Sequence, residues 1–371
     1  MSWALGRAAL AACCVGLLGC GGPSVDSPSN VRPGDAAGRG SGGEDVEFED
    51  EAVERGAQQA HPASEPVQRG EALLAQGDAA GAERLFRAAL TADASDARAL
   101  LDLGLSRELQ DDVPGAEHSY REAIRVDARF AEAHNNLGAL LRERGDLAGA
   151  LVALHEAVRL RANSPSAQAN LALALEEHEE LPAAEVAYRA AVRLAPRDPM
   201  ARVNLGLLLL RMQRNDDAAR TLREAMPLAA DNRAALAGIG SGLRRAGEPE
   251  TAVRALAAAV EVGEEPPTPG LLCELALAQY AAEDRPASEA TLARVLAADE
   301  RYATAHYLLA SMLAGRGAFA QAITHFERYL ALEPEGAQAA QARAGLSHAR
   351  DAARAGAPAP AAPVRGVRTH R

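Results

Sequence analysis

Residues 133–160 read AHNNLGALLRERGDLAGALVALHEAVRL. Apolar residues return every three or four positions on both sides of Gly145-Asp146, the spacing of two amphipathic helices joined by a turn. Two asparagines, Asn135 and Asn136, stand near the start of the first helix. Asn competes for its own backbone and is a poor helix former. Their presence is explained 34 residues away in either direction.

From Ala63 to Gly336 the chain is self-similar at a period of 34, with units starting at residues 63, 97, 131, 165, 199, 233, 269 and 303. Counting each start as slot 1, slot 7 holds Arg69, Leu103, Leu137, Leu171, Leu205, Ile239, Leu275 and Leu309. Slot 8 is always glycine or alanine, and slot 20 is alanine in every unit except for Ser288. Slot 24 takes a large residue, among them Phe86, Tyr120, Tyr188 and Phe326. Small residues at 8 and 20 let two antiparallel helices approach closely, and large ones at 7 and 24 fill the space between them. This register resembles the tetratricopeptide repeat. The resemblance implies an all-α fold, a right-handed superhelical solenoid of about eight helix-turn-helix units: 63–96, 97–130, 131–164, 165–198, 199–232, 233–266, 269–302 and 303–336. Residues 337–354 read as a final helix that caps the last unit.

The array has irregularities. Pro227 falls near the end of a second helix and should stop or bend it. Unit six is glycine-rich (Gly238, Gly240, Gly242) and is followed by EEPPTP, with Pro267 and Thr268 as extra residues. The softest joint is expected at 263–270.

Composition supports helix and excludes several functions. In 371 residues, alanine, leucine, arginine and glutamate dominate and aromatics make up only 3%, which disfavours a sheet-rich fold. All 39 basic residues are arginine, and the net charge of −12 argues against a nucleic-acid partner. Of four cysteines only Cys273 lies in the repeats, within an apolar run, and reads as a buried hydrophobe.

The amino terminus, MSWALGRAALAACCVGLLGC, has Arg7 and then an apolar stretch too short for the ~20 residues that a membrane span needs. It reads as a secretory signal over residues 1–19. The ending Leu17-Leu18-Gly19-Cys20 resembles a bacterial lipobox. That implies lipidation of Cys20 and a protein held to a membrane without spanning it. Gly21, where some lipoproteins carry a retention Asp, implies the outer membrane, facing the periplasm. Residues 20–62, with the acidic run EDVEFEDEAVE, read as a disordered tether, and 355–371 as a disordered Pro/Ala-rich tail.

Asn136 occupies slot 6, as do Asn170 and Asn204 in the next two units. In the family this slot lies on the concave face. The resemblance therefore implies a ladder of amides that meets the backbone of an extended peptide, with Arg142, Leu173 and Leu207 beside it. The other role open to slot 6 is a hydrogen bond to the adjacent repeat. The basic clamp by which some family members hold a terminal carboxylate does not fit, because Asp102 and Glu132 stand where that clamp has other residues.

No catalytic constellation is present. His134 and His306 share slot 4, a packing slot, and no Cys pair or HExxH spacing points to a metal. No GxSxG elbow or phosphate loop occurs. The expected protein is not an enzyme and uses no cofactor, metal or small-molecule substrate. Its partners are proteins or peptides, and its membrane contact is the lipid. The expected role is an interaction scaffold or assembly factor of the cell envelope, resembling pilus and secretin assembly lipoproteins. The alternatives are an adaptor for cell-wall enzymes or a non-catalytic subunit of a glycosyltransferase.

Overall fold

A computed structural model describes residues 64–356. The expected signal segment, Cys20, the acidic tether and the tail from 357 onward lie outside the described residues. Every regular element among the described residues is helical. The chain forms two compact units, divided between Ala162 and Asn163.

The first unit holds three helix pairs. They are α1 (Glu65–Ala75) with α2 (Ala79–Ala92), α3 (Ala97–Glu108) with α4 (Val113–Val126), and α5 (Ala131–Glu143) with α6 (Leu147–Leu160). The second unit continues with α7 (Pro165–Glu177) and α8 (Leu181–Leu194), then α9 (Pro199–Arg211) and α10 (Asn215–Ala225). After them come α11 (Arg233–Arg245) with α12 (Pro249–Glu261), α13 (Pro269–Ala281) with α14 (Arg285–Ala298), and α15 (Ala303–Gly315) with α16 (Phe319–Leu332). The closing helix is α17 (Ala339–Arg354). The first helix starts at slot 1 in every unit but the first, where it starts at Glu65. The second helix always starts at slot 17.

The slots do what their sizes require. The small residue at slot 20 is fully buried in all eight units, from Ala82 to Ala322. The slot-24 side chain packs onto the slot-8 backbone: a Cβ added at Gly206 would lie 2.6 Å from Leu222 Cγ. Between the helices, slot 15 is always left-handed. Gly77, Gly145, Gly247 and Gly317 take it at φ 82–91°, whereas Asp111, Glu179, Gln213 and Glu283 take it at φ 59–64°. L-residues are strained there by roughly 1–2 kcal/mol. Slot 16 caps the second helix where it is aspartate: Asp78, Asp112, Asp146 and Asp284 each accept a backbone N–H three residues on.

Neighbouring repeats are also clamped by carboxylates at slot 21. Glu83 pairs with Arg107 (3.2 Å), Glu117 with Arg144, Glu185 with Arg214 (2.6 Å) and Glu289 with Arg316 (3.2 Å). Glu117 and Glu185 are nearly buried, so these pairs are screened less than surface pairs.

Pro227 acts as expected. The second helix of unit five stops at Ala225 and gives way to a 3-10 turn at Met226–Leu228. The loop at 263–270 interrupts less than its sequence promises. One apolar cluster runs from Val203 to Ala349 across it. Arg233 Nη2 donates to the Glu265 carbonyl (2.6 Å), and Thr268 caps α13. The extra residues are absorbed in a braced loop, and the division of the chain falls instead at 162/163. The closing helix packs Ala339, Ala342, Leu346 and Ala349 into the same cluster. No helix among the described residues is long and apolar enough to cross a membrane.

Candidate functional site

First helices pack side by side within a unit: α1 touches α3, and in the second unit α9, α11, α13, α15 and α17 touch in succession. Slots 5, 6, 9, 12 and 13 lie on one side of every first helix, and from α9 to α15 that side forms one continuous face. The slot-6 asparagines stand on that side, Asn136 in the first unit and Asn170 and Asn204 in the second, and all three are partly buried.

Asn136 is already engaged. Its amide donates to the Tyr120 hydroxyl on the second helix of the preceding repeat, and it accepts from Asn135 Nδ2 at 3.2 Å. Tyr120 in turn donates to Glu108 Oε2 at 2.7 Å. Burial, then the Glu108 charge, pushes the Tyr120 hydroxyl far above its ordinary range, so it remains a donor. Burial likewise raises Glu108. The same tyrosine-to-glutamate link, slot 24 to slot 12, recurs as Tyr188 Oη to Glu176 Oε2 at 3.0 Å. Sequence reasoning missed it, although the signal was there: Glu108 and Glu176 each stand twelve residues before a slot-24 tyrosine.

Asn204 differs. Its side chain forms no hydrogen bond or ion pair among the described residues. One turn along the helix from it lie Leu207 and Leu208. Leu207 is partly exposed on the face, as Leu173 is on α7. Arg211, at slot 13, reaches back to the preceding repeat and donates to the Glu176 carbonyl (3.2 Å), to its carboxylate (3.0 Å) and to Glu179 (2.9 Å). On α11, Arg244 reaches forward to Glu274 (3.3 Å), whereas Arg245 is exposed and in no ion pair among the described residues. Arg142 lies in the first unit, its side chain only 11% exposed and paired with Glu143 at 3.6 Å. It contributes little open surface.

Asp102, the slot-6 residue of unit two, is 2% exposed. It pairs with Arg98 Nε at 2.9 Å, and Arg98 also holds Glu71 at 2.7 Å. Burial outweighs the Arg98 charge and lifts its carboxyl to about 6. The slot-4 histidines pack and staple. His134 Nε2 lies 3.1 Å from the Ala128 carbonyl and His306 Nε2 lies 2.9 Å from that of Glu300, both at slot 32 of the preceding unit. Arg202, also at slot 4, donates to the equivalent Pro196 carbonyl at 2.6 Å. Cys273 is buried, and burial with the neighbouring Glu274 pushes its thiol up to about 12. It is a packing residue, not a thiolate. No group of three or more metal-ligating side chains occurs among the described residues.

The family profile described as tetratricopeptide repeat matches residues 67–117, 110–167, 169–235 and 273–340, well over half of the chain. The chain belongs to the tetratricopeptide repeat family. A search of the curated proteins finds no match. Among solved structures, the chain is similar to one in the APC/C hetero-tetramer Cut9-Hcn1 (15% identity, TM-score 0.53, covering 76% of this chain and 55% of that one). Yeast Tom70 is also similar (19% identity, TM-score 0.50, 80% and 66%). So is a tetratricopeptide repeat protein from Parabacteroides merdae (16% identity, TM-score 0.50, 67% and 98%). The chain spans about half to two thirds of the length of the first two. These likenesses establish the fold, which is in general a non-catalytic scaffold for protein interaction.

Proposed function

We propose that this chain is a non-catalytic binding scaffold of the bacterial envelope, held to the outer membrane by lipid on Cys20 and facing the periplasm. Its second unit takes an extended peptide segment of a partner protein on the first-helix face. The observation that carries the reading is Asn204: a partly buried amide with unspent donors and an acceptor, set beside the partly exposed Leu207. An amide pairs with peptide backbone whatever the side chains, and a neighbouring leucine supplies apolar contact. Leu173 repeats the partly exposed leucine one repeat earlier. The role suggested by the address is assembly of other envelope proteins, as pilus and secretin assembly lipoproteins do.

A photo-crosslinking residue placed at Leu207 in cells tests this reading. The control position is Val186, 66% exposed on the second-helix side of the same unit. The reading expects Leu207 to join a polypeptide that Val186 does not reach. Equal crosslinking from both positions, or none from Leu207, overturns it.

A further inference from the structure

The first compact unit leaves two leucines open on the first-helix side of α3. Leu105, at slot 9, is partly exposed, and Leu109, at slot 13 in the helical geometry that ends α3, is 45% exposed. Slot 12 beside them is Glu108. Tyr120 joins this place to α5, since it donates to Glu108 at 2.7 Å and accepts from Asn136. Glu108 is partly buried, and it has no cation among the described residues. The charge that acts on it from α5 is another carboxylate, Glu143 at slot 13.

The second unit shows the same place completed. Glu176 accepts from Tyr188 at 3.0 Å, as Glu108 does from Tyr120. There, slot 13 of the following repeat is Arg211, which donates to Glu176 at 3.0 Å. In the first unit that slot is Glu143, of opposite charge. The neighbouring arginines do not make up the difference. Arg142 pairs with Glu143 at 3.6 Å, and Arg98 is held by Asp102 and Glu71.

The structure assigns this face to a basic, apolar segment of a partner protein. An apolar side chain covers Leu105 and Leu109, and an arginine or lysine takes at Glu108 the place that Arg211 takes at Glu176. Charge complementarity selects the occupant. Glu108 and Glu143 together attract a cation, which Arg211 shows the place can accept, and they repel an acidic segment. The net charge of −12 steers basic partners in the same sense. The face lies in the first unit, so the inference does not rest on the peptide reading of Asn204.

The test uses a short fluorescein-labelled peptide of alternating leucine and arginine, with a leucine–glutamate peptide as control, and the full chain at low ionic strength. The arginine peptide should bind saturably, and the glutamate peptide should not. E143R puts a guanidinium where the second unit has Arg211, so it should weaken binding by about tenfold without lowering the melting temperature. E224R makes the same charge change on the exposed side of α10 in the second unit and should weaken binding by less than about twofold. E108Q keeps an acceptor for Tyr120 and removes the charge, and it should weaken binding by about tenfold. Where E143R lowers the melting temperature, E108Q decides. L109Q should weaken binding as well, because the apolar cover is lost. Equal weakening by E143R and E224R would reduce the effect to net charge and overturn the inference, as would indifference to E108Q or equal binding of the glutamate peptide. Sedimentation reads the remaining occupant: a dimer that L109Q disperses would put a second copy of the chain on this face and overturn the inference too.

Discussion

Asn136 donates to the Tyr120 hydroxyl of the preceding repeat, and that hydroxyl donates onward to Glu108 at 2.7 Å. The same slot in unit five, Asn204, makes no such bond among the described residues. One sequence position thus has two uses, and substitution should separate them. Asn136→Ala should lower stability by about 0.5–1.5 kcal/mol, because a bridging amide is lost beside a buried hydroxyl. Asn204→Ala should leave stability unchanged or slightly raised, since Ala is the better helix former. Its loss should appear in peptide binding, by roughly threefold to tenfold. Thermal melts and titrations on both variants decide the matter. Equal destabilisation by the two substitutions would contradict the division of roles.

The left-handed turn residues offer a second test. Glu283 holds φ 63° at slot 15, where Gly145 and Gly317 hold φ 82°. Glu283→Gly should stabilise the chain by about 0.5–1 kcal/mol, the relief of strain exceeding the added freedom of the unfolded glycine. Gly145→Ala should cost about 1–2 kcal/mol. At slot 16, Asp146 accepts from Gly149 N, so Asp146→Ala should cost about 1 kcal/mol. Ala318 has no capping side chain, and Ala318→Asp should recover a similar amount. Denaturant titrations measure all four. The account fails if Glu283→Gly destabilises.

Much of this was legible before any coordinates, because a repeat states its packing eight times. Slots 8, 20 and 24 follow from volume alone, and Pro227 from its missing N–H. What the pattern concealed was contact between units. Whether Asn136 faces a ligand or the preceding repeat depends on slot 24 of another unit, and Tyr120 supplies a hydroxyl where Leu154 and Leu222 do not. The loop at 263–270 hides its brace for the same reason. Three prolines and an insertion look like a joint, yet Arg233 lies 32 residues from the carbonyl it grips.

The proposed anchor rests on one residue outside the described part of the chain. Cys20→Ser should abolish incorporation of a fatty-acid analogue and release the protein from membranes, because the acyl chains supply the membrane affinity. Metabolic labelling followed by membrane fractionation reads both effects. Equal labelling of wild type and variant would remove the lipoprotein reading while leaving the repeat face untouched.

Acid should act on the eighth repeat through a histidine pair. His306 Nε2 lies 2.9 Å from the Glu300 carbonyl, which only accepts, so that nitrogen carries the proton. Its Nδ1 then accepts from His325 Nδ1 at 2.9 Å. An added proton goes to His325 Nε2, since protonating His306 would set two N–H groups against each other. Burial first, and then His306, hold His325 below the ordinary histidine range. Glu300, Glu327 and Arg328 share the surrounding cleft, and Arg328 pairs with Glu300 at 3.4 Å. The folded state therefore binds this proton less readily than the unfolded chain does. Its contribution is complete above the unfolded value of about 6.5 and is lost as pH falls below it. Asp102 works in the opposite sense. Its folded value of about 6 lies above the ordinary 3.8, so its contribution to stability grows as pH falls through that interval. Melting temperatures from pH 7.5 to 5 for wild type, His325→Gln and Asp102→Asn should therefore diverge. His325→Gln should lose less on acidification than wild type, and Asp102→Asn should lose more, the latter by about 1 kcal/mol. Parallel profiles for all three proteins would show that neither group titrates in this range.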